Sequence, residues 1–163
     1  MSVIYVKISG IQGEATHPDY KDQIECVAMR HSVSLPVVSA AIRVEGTSTH
    51  GPIVLSHAMD KASAVLRQSV LTGANLGEVE ITRMRTVGGA ATPTETITLS
   101  NAFVVRVDSE TMIDEATREL SDELVETFHL EYSEVKWSEK RYNGDVAGGT
   151  VQGGWSLATQ QVA

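Results

Sequence analysis

Hydrophobic residues recur mostly at every second position along this chain, which is the period typical of β-strands. In VIYVKISG, Ile4, Val6 and Ile8 share one face, and glycines then mark a turn. Similar alternation runs through EVEITRMRT, TITLSNAFVVRV and TVQGGWSLATQQ near the C-terminus. The Gly- and Pro-containing VGGAATPT separates the first two of these and predicts a hairpin. The pattern therefore predicts a mainly β fold.

The segment IECVAMRHSV is hydrophobic on both faces of its predicted strand. One face carries Ile24, Cys26 and Ala28, and the other carries Val27, Met29, His31 and Val33. A strand of this kind is expected where both sides of a sheet are covered.

The period changes once, within PIVLSHAMDKASAVLRQSVLTG. Ile53, Leu55, His57 and Met59 alternate, whereas Ala62, Leu66 and Val70 recur at helical spacing. Ser63 is a suitable N-cap, Asp60 places a negative charge near a helix N-terminus, and Gly73 suits a helix end. We therefore predict a strand followed by one short helix, Ser63 to Thr72.

The connection SLPVVSAAIRVEG is too hydrophobic for a solvated loop, although Pro36 and Gly46 interrupt it. Exposed apolar segments in soluble proteins often mark contact surfaces. The core of the domain or a neighbouring subunit is expected to cover this one. The candidate contact residues are Val37, Val38, Ala40, Ala41 and Ile42.

The region from Asp108 to Glu126 is strongly acidic and has a different period. Its apolar residues, Ile113, Ala116, Leu120 and Leu124, are spaced as on an amphipathic helix. The flanking strands leave little space to bury another helix, so an acidic loop with a helical turn is the alternative.

The inward parity changes after this region. Phe128 and Leu130 share one parity, and Val135 and Trp137 take the other. A continuous strand would need a bulge between Glu131 and Glu134 to keep all four inside. The next segment, RYNGDVAGGTVQGGW, reads as a glycine-rich connection before a last strand.

Composition limits the functional classes. The length fits a single domain, residues 1–163, and the net charge of −8 disfavours nucleic acid and anionic lipid as partners. No basic start precedes a long apolar segment, and no window is long enough to span a bilayer, so we expect cytoplasmic synthesis without a signal peptide. The lone Cys26 is expected to be a free thiol.

The sequence offers no candidate catalytic, cofactor-binding or metal-binding site. It has no HxH or HExxH pair, no G-x-S-x-G elbow, and no G-x-G-x-x-G or P-loop pattern. His50 and His57 could meet Asp60 across a turn, but structural histidines are the more common reading. Asp114 with Glu115, and Asp122 with Glu123, lie in an acidic run typical of a solvated face.

Taken in order, several segments resemble the tube protein of bacterial type VI secretion, the hemolysin-coregulated protein (Hcp) family. The segments are YVKISGIQGEA, IECVAMRHSVS, PIVLSHAMDKASAVLRQSVLTG, TITLSNAFV and the tail FHLEYSEVKW with GGTVQGGWSL. The resemblance runs nearly end to end. Its most specific positions are Gly10, Gly13, Glu14, Asp60, Lys61, Ser63, Gly154 and Trp155.

The resemblance implies a small β-barrel of two packed antiparallel sheets with one short flanking α-helix. It also implies a structural role without catalysis. Six copies would close into a ring and rings would stack into a hollow secreted tube, with a spike protein, a contractile sheath and small effector proteins as partners. Arg67 and Gln68 on the helix would face the lumen.

The chain departs from the family in two places. Residues 108–122 are longer and more acidic than the family's short turn, and residues 36–50 are less glycine-rich. Two other classes fit parts of the pattern. A monomeric β-sandwich that binds carbohydrate or peptide would want aromatics clustered in loops, and a cupin-like metalloenzyme would need histidines converging from neighbouring strands.

Overall fold

The computed structural model of this chain describes residues 2–38, 43–44, 46–113 and 116–163. Most of these residues lie in β-strands. The elements are β1 (Val3–Ile8), a short 3-10 helix (Pro18–Tyr20), β2 (Ile24–Arg30), β3 (Val33–Ser34), β4 (Val37–Val38), β5 (Arg43–Val44), β6 (Thr49–His50), β7 (Ile53–Ala58), α1 (Ser63–Thr72), β8 (Val79–Val87), β9 (Ala90–Ser100), β10 (Phe103–Ile113), β11 (Leu120–Glu131), β12 (Glu134–Asn143), β13 (Val146–Ser156) and β14 (Gln161–Val162).

Within the described residues, ten strands form one sheet in the order β10-β11-β7-β2-β1-β8-β9-β12-β13-β14, and neighbouring strands are antiparallel. The two layers expected from the sequence are joined in this order, with β10 and β14 at its ends. Val104 of β10 and Val135 of β12 belong to the same buried core, so strands from distant positions in the order pack together. The expected mainly β fold with one short helix is confirmed.

The first two strands differ in how well alternation predicts burial. In β1, Ile4, Val6 and Ile8 are buried, as expected. In β2 the register shifts between Cys26 and Ala28, which is the mark of a bulge. Met29 then packs against the core, while Val27 is 72% exposed. The expectation that both faces of this strand are covered is therefore wrong at Val27.

The hairpin predicted around VGGAATPT is confirmed as β8 and β9. Gly88 and Gly89 at its tip have φ of +57° and +82°, values that glycine adopts without steric cost. The following alternation does not continue through one strand, because the chain turns at Asn101 between β9 and β10. After this corner Val104 is buried and Val105 is 48% exposed, which reverses the expected parity.

The acidic region is neither a helix nor a loop. Residues 103–113 and 120–131 pair as the two long strands of an antiparallel hairpin, with Asp108 opposite Thr127 and Thr111 opposite Leu124. The amphipathic spacing misled because most of the acidic stretch is exposed on both faces, and such a strand has no reason to alternate. Asp114 and Glu115 lie outside the described residues.

The bulge expected between Glu131 and Glu134 is also wrong, because the strand ends there. β11 pairs with β7 and β10, whereas β12 pairs with β9 and β13. The chain therefore crosses from one part of the sheet to another, and the buried Tyr132 lies at the crossing. The change of inward parity reflects this crossing.

The helix has the predicted bounds, and it buries Leu66 fully while Val70 packs against the core. Gly73 ends it in the left-handed conformation with φ of +63°. Ser63 is the first helical residue instead of the N-cap. The Ala62 N–H donates to Asp60 Oδ1 over 2.8 Å, and the Asp60 N–H donates to Ser63 Oγ over 3.2 Å, so Asp60 caps the first turn. No helix in the described ranges is long and apolar enough to cross a membrane.

Candidate assembly surfaces

An arm leaves the barrel between β2 and β7, and we define it as residues 33–50. It is built from the two-stranded ladders β3–β6 and β4–β5. Val33, Leu35 and Val37 are 54%, 45% and 56% exposed, which is unusual for large apolar side chains in one segment. Val38 pairs with Arg43 in the outer ladder. Ala40, Ala41 and Ile42 lie outside the described residues, so the assembly contact proposed there stays a prediction.

A cavity of about 620 Å³ opens at the base of the arm. Val33 and Leu35 line one side, and Trp137 and Trp155 line the other. Among the described residues, the buried indole Nε1–H of Trp155 has no hydrogen-bond partner. Buried donors are nearly always satisfied in folded proteins. The cavity is therefore an apolar site next to a donor that an acceptor from another molecule could complete.

Two histidines at the ends of the arm meet one tyrosine of the barrel. His31 Nε2 lies 2.6 Å from the Tyr132 hydroxyl oxygen, and His50 Nδ1 lies 3.1 Å from the same atom. Burial, with a smaller effect of Glu131, raises the pKa of Tyr132, so the phenol is neutral. Burial and the neighbouring His50 lower the pKa of His31. This cluster fixes both ends of the arm on the barrel.

The helix is fixed to the barrel by a second polar cluster. Arg67 Nη2 donates to Glu126 Oε2 over 2.6 Å and to Ser109 Oγ over 2.8 Å, which links α1 to β11 and β10. The other carboxylate oxygen, Glu126 Oε1, lies 3.2 Å from His57 Nε2 on β7. His57 and Glu126 are both fully buried. A buried carboxylate with charged and hydroxyl partners is the arrangement that folding tolerates.

His57 and His50 belong to different clusters, so the grouping with Asp60 considered from the sequence does not form. His57 Nδ1 is 3.7 Å from Asp60 Oδ1. In the part of the chain that the structure describes, no three His, Cys, Asp or Glu side chains are placed to hold a metal ion. His57 could have been recognised as buried because it shares the parity of Ile53 and Leu55, but its partner Glu126 is 69 residues away.

The two residues expected to face a lumen differ in their surroundings. Gln68 is exposed on the helix surface. The side chain of Arg67 is 40% exposed, and its guanidinium is already bound to Glu126. The lumen assignment of both stays a prediction.

The residues that carry the family resemblance have mainly structural surroundings. A Cβ on Gly13 would lie 2.4 Å from the carbonyl oxygen of Gln23, so the two chain segments approach too closely for any side chain. Gly10 has φ of +79° at the turn after β1, and Glu14 is exposed. Lys61 Nζ lies 3.6 Å from Asp22 Oδ1, which ties the start of the helix region to this turn.

The C-terminal part of the sequence pattern is similar. A Cβ on Gly154 would lie 3.1 Å from the carbonyl oxygen of Val135, so this glycine allows β12 and β13 to approach. Trp155 is half-buried and packs against the core.

A second exposed apolar surface lies far from the arm. The segment expected to be a glycine-rich connection includes most of strand β13, in which Val146 and Val151 are 71% and 53% exposed. The sequence analysis missed these residues because the glycines around them suggested a turn. Val146 pairs with Asn143 at the hairpin tip, and Trp155 is nine positions further along the same strand. At about 3.3 Å per residue the two ends are about 30 Å apart.

Comparison with known proteins gives a consistent result. A family model described as "Type VI secretion system effector, Hcp" matches residues 5–138. The "Major exported protein" of Pseudomonas aeruginosa PAO1 is 24% identical over 129 residues, which cover 78% of this chain and 75% of that protein. A solved structure of a type six secretion system protein matches with a TM-score of 0.88 and 21% identity over 100% of both chains. Hcp1 from Salmonella typhimurium matches with a TM-score of 0.75 and 21% identity over 99% of both chains. Because the family model spans most of the sequence, the chain belongs to the Hcp family, the secreted tube proteins of type VI secretion.

Proposed function

We propose that this chain is the subunit of hexameric rings that stack into the hollow tube of a type VI secretion system. The sheath drives the tube outward behind a spike protein, and small effector proteins travel inside it or are stabilised by the ring. The role is structural, and the whole chain, residues 1–163, acts as one domain without catalysis. The protein is made in the cytoplasm without a signal peptide and leaves through the apparatus itself.

The observation that carries this proposal is the presence of two unlike apolar surfaces on one subunit. One is the arm with Val33, Leu35 and Val37, and the other is the distal half of β13 with Val146 and Val151. Head-to-tail contacts use two different surfaces of each subunit and close into rings when the rotation allows. A tube needs a further contact along its axis. A subunit with separate apolar surfaces meets both requirements.

We assign the arm to stacking and β13 to ring closure. The arm projects from the barrel next to the cavity of about 620 Å³, so apolar side chains of a neighbouring ring could fill the cavity. A backbone carbonyl from that neighbour would satisfy the Trp155 indole N–H. β13 lies next to the end strand β14, which pairs only with Trp155 and Ser156, so most of its length is a free sheet edge among the described residues. Free edges readily pair with another chain.

The helix would then contribute to the bore. Gln68 is exposed, and Arg67 keeps part of its guanidinium accessible while bound to Glu126. An effector held in the lumen would contact the exposed face of the helix. Hydrogen exchange on assembled tubes, with and without a lumen-bound cargo, should show added protection on this face, and an unchanged helix would overturn the lumen assignment.

The assembly is tested by light scattering over a concentration series, with negative-stain electron microscopy of the same fractions. The unmodified chain should give a species of six subunits that appears as open rings. Val146→Glu should yield monomers, because it places a charge in the ring contact. Val37→Glu should leave rings intact and prevent stacking. Ala91→Glu, an exposed position on the β8–β9 hairpin, is the matched control and should change neither.

One observation favours a second candidate, a monomeric module that binds carbohydrate or peptide. Trp137 and Trp155 line the same cavity, and aromatic side chains often provide stacking surfaces in such sites. This alternative predicts a monomer at all concentrations and binding of a glycan or peptide at the cavity. A six-subunit species that Val146→Glu dissociates would exclude it.

A further inference from the structure

Both ends of the arm are held by the same atom. His31 immediately precedes the arm and His50 is its last residue, and both contact the hydroxyl oxygen of Tyr132. The tyrosine belongs to the rigid crossing between β11 and β12, where it is 6% exposed. Its ring also meets both imidazoles edge-on, at centroid distances of 5.8 and 6.0 Å. The arm is therefore closed at its base by one phenol between two imidazoles.

The hydrogen bonds of this cluster depend on protonation. A phenol has one O–H to donate, and a neutral imidazole has one donor nitrogen and one acceptor nitrogen. With neutral rings, one imidazole accepts the phenolic proton and the other donates to the phenolic oxygen. When both rings are protonated, both nitrogens are donors, and the phenol loses its acceptor while two positive charges lie beside one buried group.

We propose that the His31–Tyr132–His50 cluster is an acid-sensitive latch that holds the arm on the barrel at neutral pH and releases it when both imidazoles are protonated. The latch belongs to a single subunit and does not depend on ring assembly. Its effect on assembly does rest on the proposed function, because release of the arm would weaken the stacking contact and distort the cavity that His50 lines.

The surrounding groups favour the same direction of response. The titratable groups that act on the cluster are Tyr132 itself, the two imidazoles and Glu131 of β11. Burial raises the pKa of Glu131, while His50 acts in the opposite sense, so this carboxylate offsets only part of the added charge. Trp137, whose ring lies 6.2 Å from that of His31, carries no charge.

The pH range follows from the sign of the His31 shift. Burial lowers the pKa of His31 in the folded arm, so the released arm binds protons more readily than the latched arm. The latch is therefore complete above the ordinary histidine pKa of about 6.5 and weakens as the pH falls below it. Each unit by which the pKa is lowered corresponds to about a tenfold shift in the ratio of released to latched arm.

Hydrogen exchange of the full-length chain tests the proposal. Peptides covering residues 33–50 are followed at pH 7.5 and pH 5.5 after correction for intrinsic exchange, and light scattering gives the mass of the same samples. We expect exchange in the arm to be about tenfold faster at the lower pH, while β1 and β7 are unchanged. Arm release without a change of mass supports the latch even if the proposed assembly is wrong.

Variants separate the latch from general instability. In His31→Gln or His50→Gln the amide can still accept the phenolic proton but cannot be protonated, so the arm should stay protected at pH 5.5. Tyr132→Phe removes the shared hydroxyl and should give fast exchange at both pH values. His129→Gln removes a histidine outside the cluster and should respond to pH like the unmodified chain. Arm exchange that does not change with pH, or that His129→Gln suppresses as well as His31→Gln does, would overturn the latch.

Discussion

Arg67 on the helix and Glu126 on β11 form a 2.6 Å ion pair in which the carboxylate is almost completely buried and the guanidinium is 40% exposed. The same carboxylate also contacts His57 and Ser109, so one buried acid joins the helix to three strands. The helix is short and buries few apolar side chains. Polar anchoring therefore contributes to its position as well as hydrophobic packing does.

Replacement of Arg67 by Met should lower the free energy of unfolding by about 1–3 kcal/mol, because it removes the cationic partner of a buried carboxylate. The effect should be at the lower end, since the arginine is partly exposed and water can replace some of its contacts. Urea unfolding followed by circular dichroism measures the change. Gln68→Met, on the neighbouring exposed position, is the control. Equal destabilisation by the two variants would show that the ion pair does not anchor the helix.

Gly13→Ala should destabilise the chain by about 1–3 kcal/mol, as overpacked sites do. The new methyl group would lie 2.4 Å from the carbonyl oxygen of Gln23 and 2.5 Å from the Cα of Ile24, so backbone must move. Gly149→Ala is a matched control, because its added methyl group would meet no atom within 4 Å. Thermal unfolding of the two variants should differ by several degrees. Similar melting temperatures would contradict the close approach at Gly13.

Local patterns predicted those parts of the fold in which one face is buried. Ile4, Val6 and Ile8 alternate because β1 covers the core, and Leu66 and Val70 recur at helical spacing because α1 does the same. Gly73 marks the end of the helix because it adopts a left-handed conformation there. These features depend on neighbours in sequence and can be recognised from it.

Other features depend on contacts that sequence spacing does not contain. The Asp108–Glu126 region was misread because its hairpin is largely exposed on both faces, which removes the alternation that identifies a strand. The parity changes at Asn101 and Tyr132 arise where the chain turns or crosses between strands. In the candidate surfaces, the pairing of His31 with Tyr132 joins residues 101 positions apart, and only the folded chain brings them together.

Cys26 should not react with a thiol reagent such as Ellman's reagent at pH 8 while the protein is folded. The side chain is fully buried, and burial, with smaller effects of Asp60 and Glu25, raises the pKa of its thiol, so the reactive thiolate is scarce. Colour should develop only as denaturant unfolds the chain, at a rate that follows unfolding. Glu25→Cys in a Cys26→Ser background provides an exposed thiol on the same strand as a positive control. Rapid reaction of the unmodified protein would mean that β2 opens locally.

Ionic strength should affect stacking more than ring closure. Each subunit carries a net charge of −8, so a ring of six repels the next ring along the whole contact. Raising the salt concentration from about 0.05 M to about 0.5 M shortens the screening length well below 10 Å and should increase the stacked fraction. Sedimentation velocity should show longer stacks at high salt, while the mass of the smallest species stays at six subunits. Val37→Glu adds another like charge at the proposed stacking contact, so any stacks that it still forms should need more salt, whereas Ala91→Glu, with the same change of net charge elsewhere, should shift the dependence less. If salt instead changes the proportion of rings to monomers before it changes stacking, the electrostatic barrier lies between neighbours in the ring, and the assignment of the arm to the axial contact would have to be given up.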